Sequence, residues 1–174
     1  MKFIELAKER YSVRSYLPNK IEHEKLQLIL EAGRVAPTAC NNQPQRILVI
    51  QSEEGLEKIG QTAPSKMFHA PCVLVVCADR TKTWIRPMDE MNSADIDASI
   101  VTDHMMLQAQ ELGIGSVWIC YFDAKKLKEI FHLPEGIEPI NILALGYANE
   151  EPQSSERHVT RRKKLSETVF FESF

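Results

Sequence analysis

Residues 72–78 read CVLVVCA, a run without a polar side chain. A strand that is apolar at every position must be covered on both faces, as happens when helices pack on each side of a sheet. Three further runs read as strands: 46–51 (RILVIQ), 116–121 (SVWICY) and 140–147 (INILALGY). Helical spacing predicts the cover. A first helix spans 3–9, with Phe3, Leu6 and Ala7 on one face, and a second spans about 21–35, with Leu26, Ile29 and Leu30 as its stripe until Pro37 prevents continuation. Short helices are expected over 54–61 and 123–131.

The longest helix, about 93–112, carries Ile96, Ile100, Val101, Met105, Met106, Leu107 and Leu112 around most of its circumference. A one-sided surface helix would not do this, so it is either central or shared with a second subunit. Gly113 ends it in the left-handed position. The GIG of 113–115 is therefore a cap before a strand, and no GxGxxG accompanies it. From Ala148 the chain turns polar and charged, yet it finishes on Val169, Phe170, Phe171 and Phe174. A disordered tail would not normally end so, and this one is expected to pack on something.

With 174 residues and no linker, repeat or low-complexity tract, residues 1–174 are expected to form one domain, burying roughly 70% of its unfolded surface. A net charge of −3 gives no general attraction to nucleic acid or to anionic membranes. No apolar run has signal or membrane-span length, so a cytoplasmic protein is the default expectation. Cys40, Cys72, Cys77 and Cys120 form no CxxC, and the five histidines have no HExxH, so neither a metal site nor a triad is expected. Cys72 and Cys77 read as small buried hydrophobes.

Two clusters carry chemistry. In ERYSVRSY, Arg10, Ser12 and Arg14 alternate, which puts two fixed cations and a hydroxyl on one side of an extended stretch, as a phosphate monoester requires. In APTACNNQPQR, Asn41, Asn42 and Gln43 lie between Pro37 and Pro44, and their amides can donate to and accept from a flat heterocycle. A phosphate clamp plus an amide-lined shelf suggests a phosphorylated aromatic cofactor.

Taken in order, ERYSVRSY, AGRVAPTACNNQPQRILVI, DIDASIVTDHMMLQAQELGIGSVWI, LALGYANEEP and RRKKLSETVFFESF resemble the nitroreductase family of flavoproteins over nearly the whole chain. The resemblance implies an α+β fold with a mixed central sheet flanked by helices, in an intertwined homodimer. It implies FMN held at its phosphate and ribityl end by the stretch Arg10, Tyr11, Ser12 and Arg14. Arg162, ahead of Leu165 and Glu167, adds to that phosphate site with Arg161 as its neighbour. Pro37, Thr38, Ala39, Asn41 and Gln43 of the other subunit lie against the ring, and the segment Trp118, Ile119, Cys120 and Tyr121 supplies a backbone N–H to flavin N5.

The implied activity is transfer of hydride from NADH or NADPH through FMN to a nitroaromatic or quinone, in a ping-pong cycle that needs no side-chain acid or base. Relatives of this fold also perform reductive dehalogenation or flavin breakdown, and a non-enzymatic flavin-binding regulatory protein is a further alternative. Gln45 stands where an aromatic is common and Cys120 where a glycine is common. Residues 79–92 are short, which implies a small substrate lid.

Overall fold

The computed structural model describes residues 2–174. In chain order the elements are α1 (Phe3–Glu9), α2 (His23–Val35), β1 (Gln45–Ile50), α3 (Glu53–Gly60), β2 (Cys72–Asp79), α4 (Ala94–Glu111), β3 (Gly115–Ile119), α5 (Ala124–Ile130), β4 (Ile137–Gly146) and α6 (Arg157–Arg161). The four strands form one sheet in the order β1-β2-β4-β3. Every neighbouring pair of strands is antiparallel. The parallel component is a bridge between Ser12 and Ser116, which lays the N-terminal segment beside β3. The α+β architecture holds, and the mixed character of the sheet is confined to that bridge.

Strand β2 is central, and its apolar part from Cys72 to Ala78, ahead of Asp79, is buried, as its composition requires. Its alternation divides the core. Leu74 and Val76 face a cluster with Leu26 and Ile29 of α2 and Val101 and Met105 of α4. Val73 and Val75 face Ile59, Met67 and Leu127 on the opposite side. Strand β4 begins three residues before the apolar run at 140–147 suggests, because a bulge at Ile140, opposite Val76 and Cys77, accommodates Pro139, which has no N–H to give a ladder.

Helix α4 packs against α2 so closely that a Cβ on Gly33 would lie 2.8 Å from Met105 Cγ. Its inner face is buried, whereas Ile96 is 50% exposed. The apolar circumference is therefore only partly covered within one chain. The C-terminal segment leaves more uncovered, with Phe171 85% and Phe174 fully exposed. Phe170 and Phe174 pack on each other, ring centroids 4.8 Å apart, and not on the core of their own chain. Among the described residues no helix is long and apolar enough to cross a membrane.

Residues 79–92 form a short hairpin-like loop, with Ile85 bridged to Asn92 and Arg86 paired to Asp89. The segment between α3 and β2, for which the sequence suggests no element, contains a tight turn over Lys66–His69 in which all four residues have positive φ, from 45° to 55°. Non-glycine residues adopt this left-handed backbone only when the surroundings impose it.

Candidate functional site

The alternation in ERYSVRSY is realised. Tyr11 and Val13 are buried, at 8% and 1% exposure, which turns Arg10, Ser12 and Arg14 the other way. The Val13 N–H donates to the Ser116 carbonyl at 3.0 Å. This approach requires small residues on β3. A Cβ on Gly115 would meet Val13 Cγ2 at 2.7 Å and the Gly146 carbonyl at 3.1 Å.

Arg10 is half-buried, and its guanidinium is held below its ordinary pKa first by that burial and then by the like charges of Arg157 and Arg162, with Asp103 of α4 acting in the opposite sense. Arg162 caps the C-terminal end of α6. Among the described residues, none of Arg10, Arg14, Arg157, Arg161 and Arg162 forms a salt bridge. Three guanidiniums gathered without a bridging carboxylate make a site that favours an anion. Arg14 is exposed, donates from Nη1 to the Ser12 carbonyl at 3.1 Å, and lies over the Phe68 ring, 5.9 Å from its centroid. The left-handed turn at Lys66–His69 is what presents that ring. Arg161 is exposed on α6 and is not among the charges that act on Arg10.

Trp118 and Ile119 end β3, and the chain leaves the sheet at Cys120, which is exposed, as is Tyr121 at 80%. Ile119 is buried, so only its backbone is available to a ligand on the outer side. The Trp118 indole Nε1 is buried without a hydrogen-bond partner. Among the described residues the N–H groups of Cys120 and Tyr121 make no turn or cap hydrogen bond, and the Cys120 carbonyl accepts from the Phe122 N–H at 3.2 Å.

The amide loop folds on itself after Pro37. Cys40, Asn41 and Gln43 all take positive φ, near 50°, and asparagine is among the residues that tolerate this region best. The Gln43 N–H donates to Thr38 Oγ1 at 3.1 Å and Gln43 Nε2 to the Asn41 carbonyl at 3.2 Å, while Cys40, Asn41 and Asn42 stay exposed. The loop is moored by the Ala39 N–H donating to Asp97 at 2.8 Å, and by the Asp79 N–H donating to the Pro44 carbonyl at 2.8 Å. No hydrogen bond among the described residues joins 37–43 to Arg10, Ser12, Arg14 or Arg162.

Sequence reasoning missed Asp97, Arg157 and Phe68. Asp97 left a weak trace, a carboxylate that shares the first turn of α4 with Asp95. Arg157 and Phe68 left none, since each matters through a residue distant in sequence.

The chain matches the nitroreductase family over residues 7–63 and 62–147. An Archaeoglobus fulgidus protein bearing the name NADH dehydrogenase/NAD(P)H nitroreductase is 34% identical, over 82% of this chain and 83% of its own. Among solved structures, a nitroreductase family protein from Clostridium difficile 630 superposes with a TM-score of 0.97 at 51% identity, covering all of both chains. An FMN-dependent nitroreductase from Clostridium difficile R20291 superposes with a TM-score of 0.81 at 27% identity, over 98% of this chain and 99% of that one. The match over most of the chain and the near-complete superposition lead to one conclusion: this chain belongs to the nitroreductase family.

Proposed function

We propose that the chain is an FMN-dependent NAD(P)H oxidoreductase that reduces nitroaromatic or quinone acceptors in a ping-pong cycle, with the nicotinamide leaving before the acceptor enters. Family membership and the relatives named for NAD(P)H and FMN support the cofactor and the donor class. The observation that carries the reading is Arg10 on the extended stretch with Ser12, its carbonyl held by Arg157 and its side chain under the positive charges of Arg157 and Arg162, with none of the three in a salt bridge among the described residues. Its donors suit a terminal phosphate monoester, and no glycine-rich turn for a pyrophosphate accompanies them.

FMN, when bound, supplies the hydride acceptor and donor of the cycle. The protein's part is to bind, orient and exclude. Arg10, Arg14 and Arg162 would hold the phosphate, with Arg161 near enough in sequence to add charge. Ser12 would contact the ribityl end, and Tyr11, whose side chain is buried, would contribute backbone only. Cys120 and Tyr121 would direct a backbone N–H at the ring, within the segment that begins at Trp118 and Ile119, and such an N–H favours the electron-rich reduced form. Pro37, Thr38, Ala39, Asn41 and Gln43 would cover the ring from a second subunit. The exposed Phe171 and Phe174 support that arrangement, since the single chain leaves them uncovered.

The test is an absorbance spectrum of the purified protein followed by anaerobic mixing with NADH and NADPH. A yellow protein with one FMN per subunit, bleached by a pyridine nucleotide on the timescale of turnover and reoxidised by a quinone, is expected. A protein that takes up no flavin on incubation with FMN, or one whose flavin neither nucleotide reduces, would refute the proposal.

A further inference from the structure

Arg157 spends its hydrogen bonds on the main chain. Nη1 donates to the carbonyls of Gln153 at 3.0 Å and Ser154 at 2.8 Å, and Nη2 to those of Lys8 at 3.0 Å and Arg10 at 2.5 Å. His158 adds Nε2–H to the Lys8 carbonyl at 3.0 Å, which sets that ring's tautomer. The Lys8 carbonyl is one of those left without an intrahelical partner at the end of α1, so the pair closes a helix terminus some 150 residues away in sequence. The same fork grips the carbonyl of Arg10, the first cation of the phosphate stretch.

Closing a helix end needs a donor and not a full charge, and this place is a poor one for another charge. Arg157 is half-buried with its Nη2 on the Arg10 carbonyl, and among the described residues it forms no salt bridge. Without an anion the charges of Arg157 and Arg162 both act unfavourably on Arg10, and the opposing charge of Asp103 is the smaller effect. With a dianion between them the repulsion becomes attraction.

We infer that Arg157 is a positioning residue for phosphate recognition: it clamps the backbone of Arg10 to the segment that carries Arg162, and it contributes a fixed positive charge although its four Nη donors are already used. The inference rests on the reading that FMN binds here through its phosphate. It means that the cofactor's phosphate tightens the docking of the C-terminal segment on the N-terminal one, which Arg157 and His158 already hold through the main chain.

Riboflavin, which has the same ring and ribityl chain but no phosphate, separates this role from a merely structural one. Fluorescence titrations with FMN and with riboflavin would compare the wild type, Arg157→Gln, which keeps donors and removes charge, and Arg157→Lys, which keeps charge and removes the fork. Arg157→Gln is expected to weaken FMN binding about tenfold or more while changing riboflavin binding less than about twofold, with the difference shrinking at high salt. Arg157→Lys is expected to retain part of the FMN preference. Equal weakening of both ligands, or no change for FMN, would overturn the inference.

Hydrogen exchange on the wild-type protein covers the case in which both variants fail to fold. Amides of residues 153–162 should be protected by FMN and not by riboflavin, and equal protection by the two would overturn the inference. If the wild type itself binds riboflavin as tightly as FMN, the phosphate reading falls and this inference with it. A wild-type preference for FMN that survives in Arg157→Gln removes the inference alone.

Discussion

The carboxylate of Asp97, 1% exposed at the start of α4, accepts the backbone N–H of Ala39 at 2.8 Å and the Ser93 hydroxyl at 2.7 Å. A buried acid on the longest helix thereby moors the one loop whose amides are proposed to cover the flavin. The strained backbone of that loop, with three residues at positive φ, depends on such anchors for a single conformation.

Asp97→Ala leaves the part-buried Ala39 N–H and the proton of the buried Ser93 hydroxyl without an acceptor, so a loss of about 1 to 3 kcal/mol in stability is expected. FMN affinity should fall with it, because the amide loop loses its mooring. Asp97→Asn retains an acceptor oxygen and should lose less of both. Urea denaturation and a flavin fluorescence titration check the pair, and an Asp97→Ala protein as stable as the wild type would show that the bond to Ala39 contributes nothing net.

Gly115→Ala tests the crossing of the N-terminal segment over β3. The added methyl would sit 2.7 Å from Val13 Cγ2 and 3.1 Å from a backbone oxygen that cannot move freely. Overpacking of this kind costs about 1 to 3 kcal/mol. Because Val13 lies between Ser12 and Arg14, the shift should also weaken FMN binding, whereas Gly113→Ala, with no atom within 4 Å of the new methyl, should act only through its backbone strain. Undiminished flavin affinity in Gly115→Ala would mean that the segment does not set the phosphate clamp.

The thiols divide by burial. Burial pushes Cys72 and Cys77 up to about 12 from an ordinary value of 9.0, with Glu138 adding to the effect on Cys77. A folded-state value above the unfolded one means that the unfolded chain releases these protons first as pH rises. Their contribution to stability is therefore complete below pH 9 and is lost progressively from there toward about 12. Denaturation midpoints should drop between pH 9 and 11, less steeply in a Cys72→Ala, Cys77→Ala double variant. In the native protein at pH 8, Ellman's reagent should modify the exposed Cys40 and Cys120 and spare the other two; four thiols reacting at one rate would contradict the burial.

Deletion of residues 169–174 removes Val169 and three phenylalanines that the single chain leaves exposed. At about 1.5 to 3 kcal/mol for each side chain buried against a partner, several kcal/mol of assembly energy would go with them. The shortened protein should dissociate at higher concentrations than the full chain and lose FMN in parallel, since a site shared between subunits links the two equilibria. Sedimentation that finds a monomer with stoichiometric FMN would place the whole site in one chain and remove the shared-site proposal.

Much of this architecture was legible because it is written in local periodicity. The wholly apolar run at Cys72 requires cover on both sides, and α2 and α4 on one face with α3 and α5 on the other provide it. The alternation of Arg10, Ser12 and Arg14 against Tyr11 and Val13 needs only an extended backbone to separate polar from buried side chains. Strand ends were less legible, as at Pro139, where a bulge at Ile140 of the same strand, opposite Val76 and Cys77, decides whether proline can be included.

Chain order and side-chain periodicity determine which face each residue presents, and from them followed the elements, the covered sheet, the alternating Arg10, Ser12 and Arg14 and the exposed amides. They do not determine which faces meet. The grip of Arg157 on the Arg10 carbonyl spans 147 positions, and the bond from Ala39 to Asp97 spans 58. The Phe68 ring reaches Arg14 only because tertiary packing imposes a backbone that four ordinary residues would otherwise avoid. Each is a hydrogen bond or charge contact whose energy depends on distance in space, and that distance is set only when the helices close over the sheet.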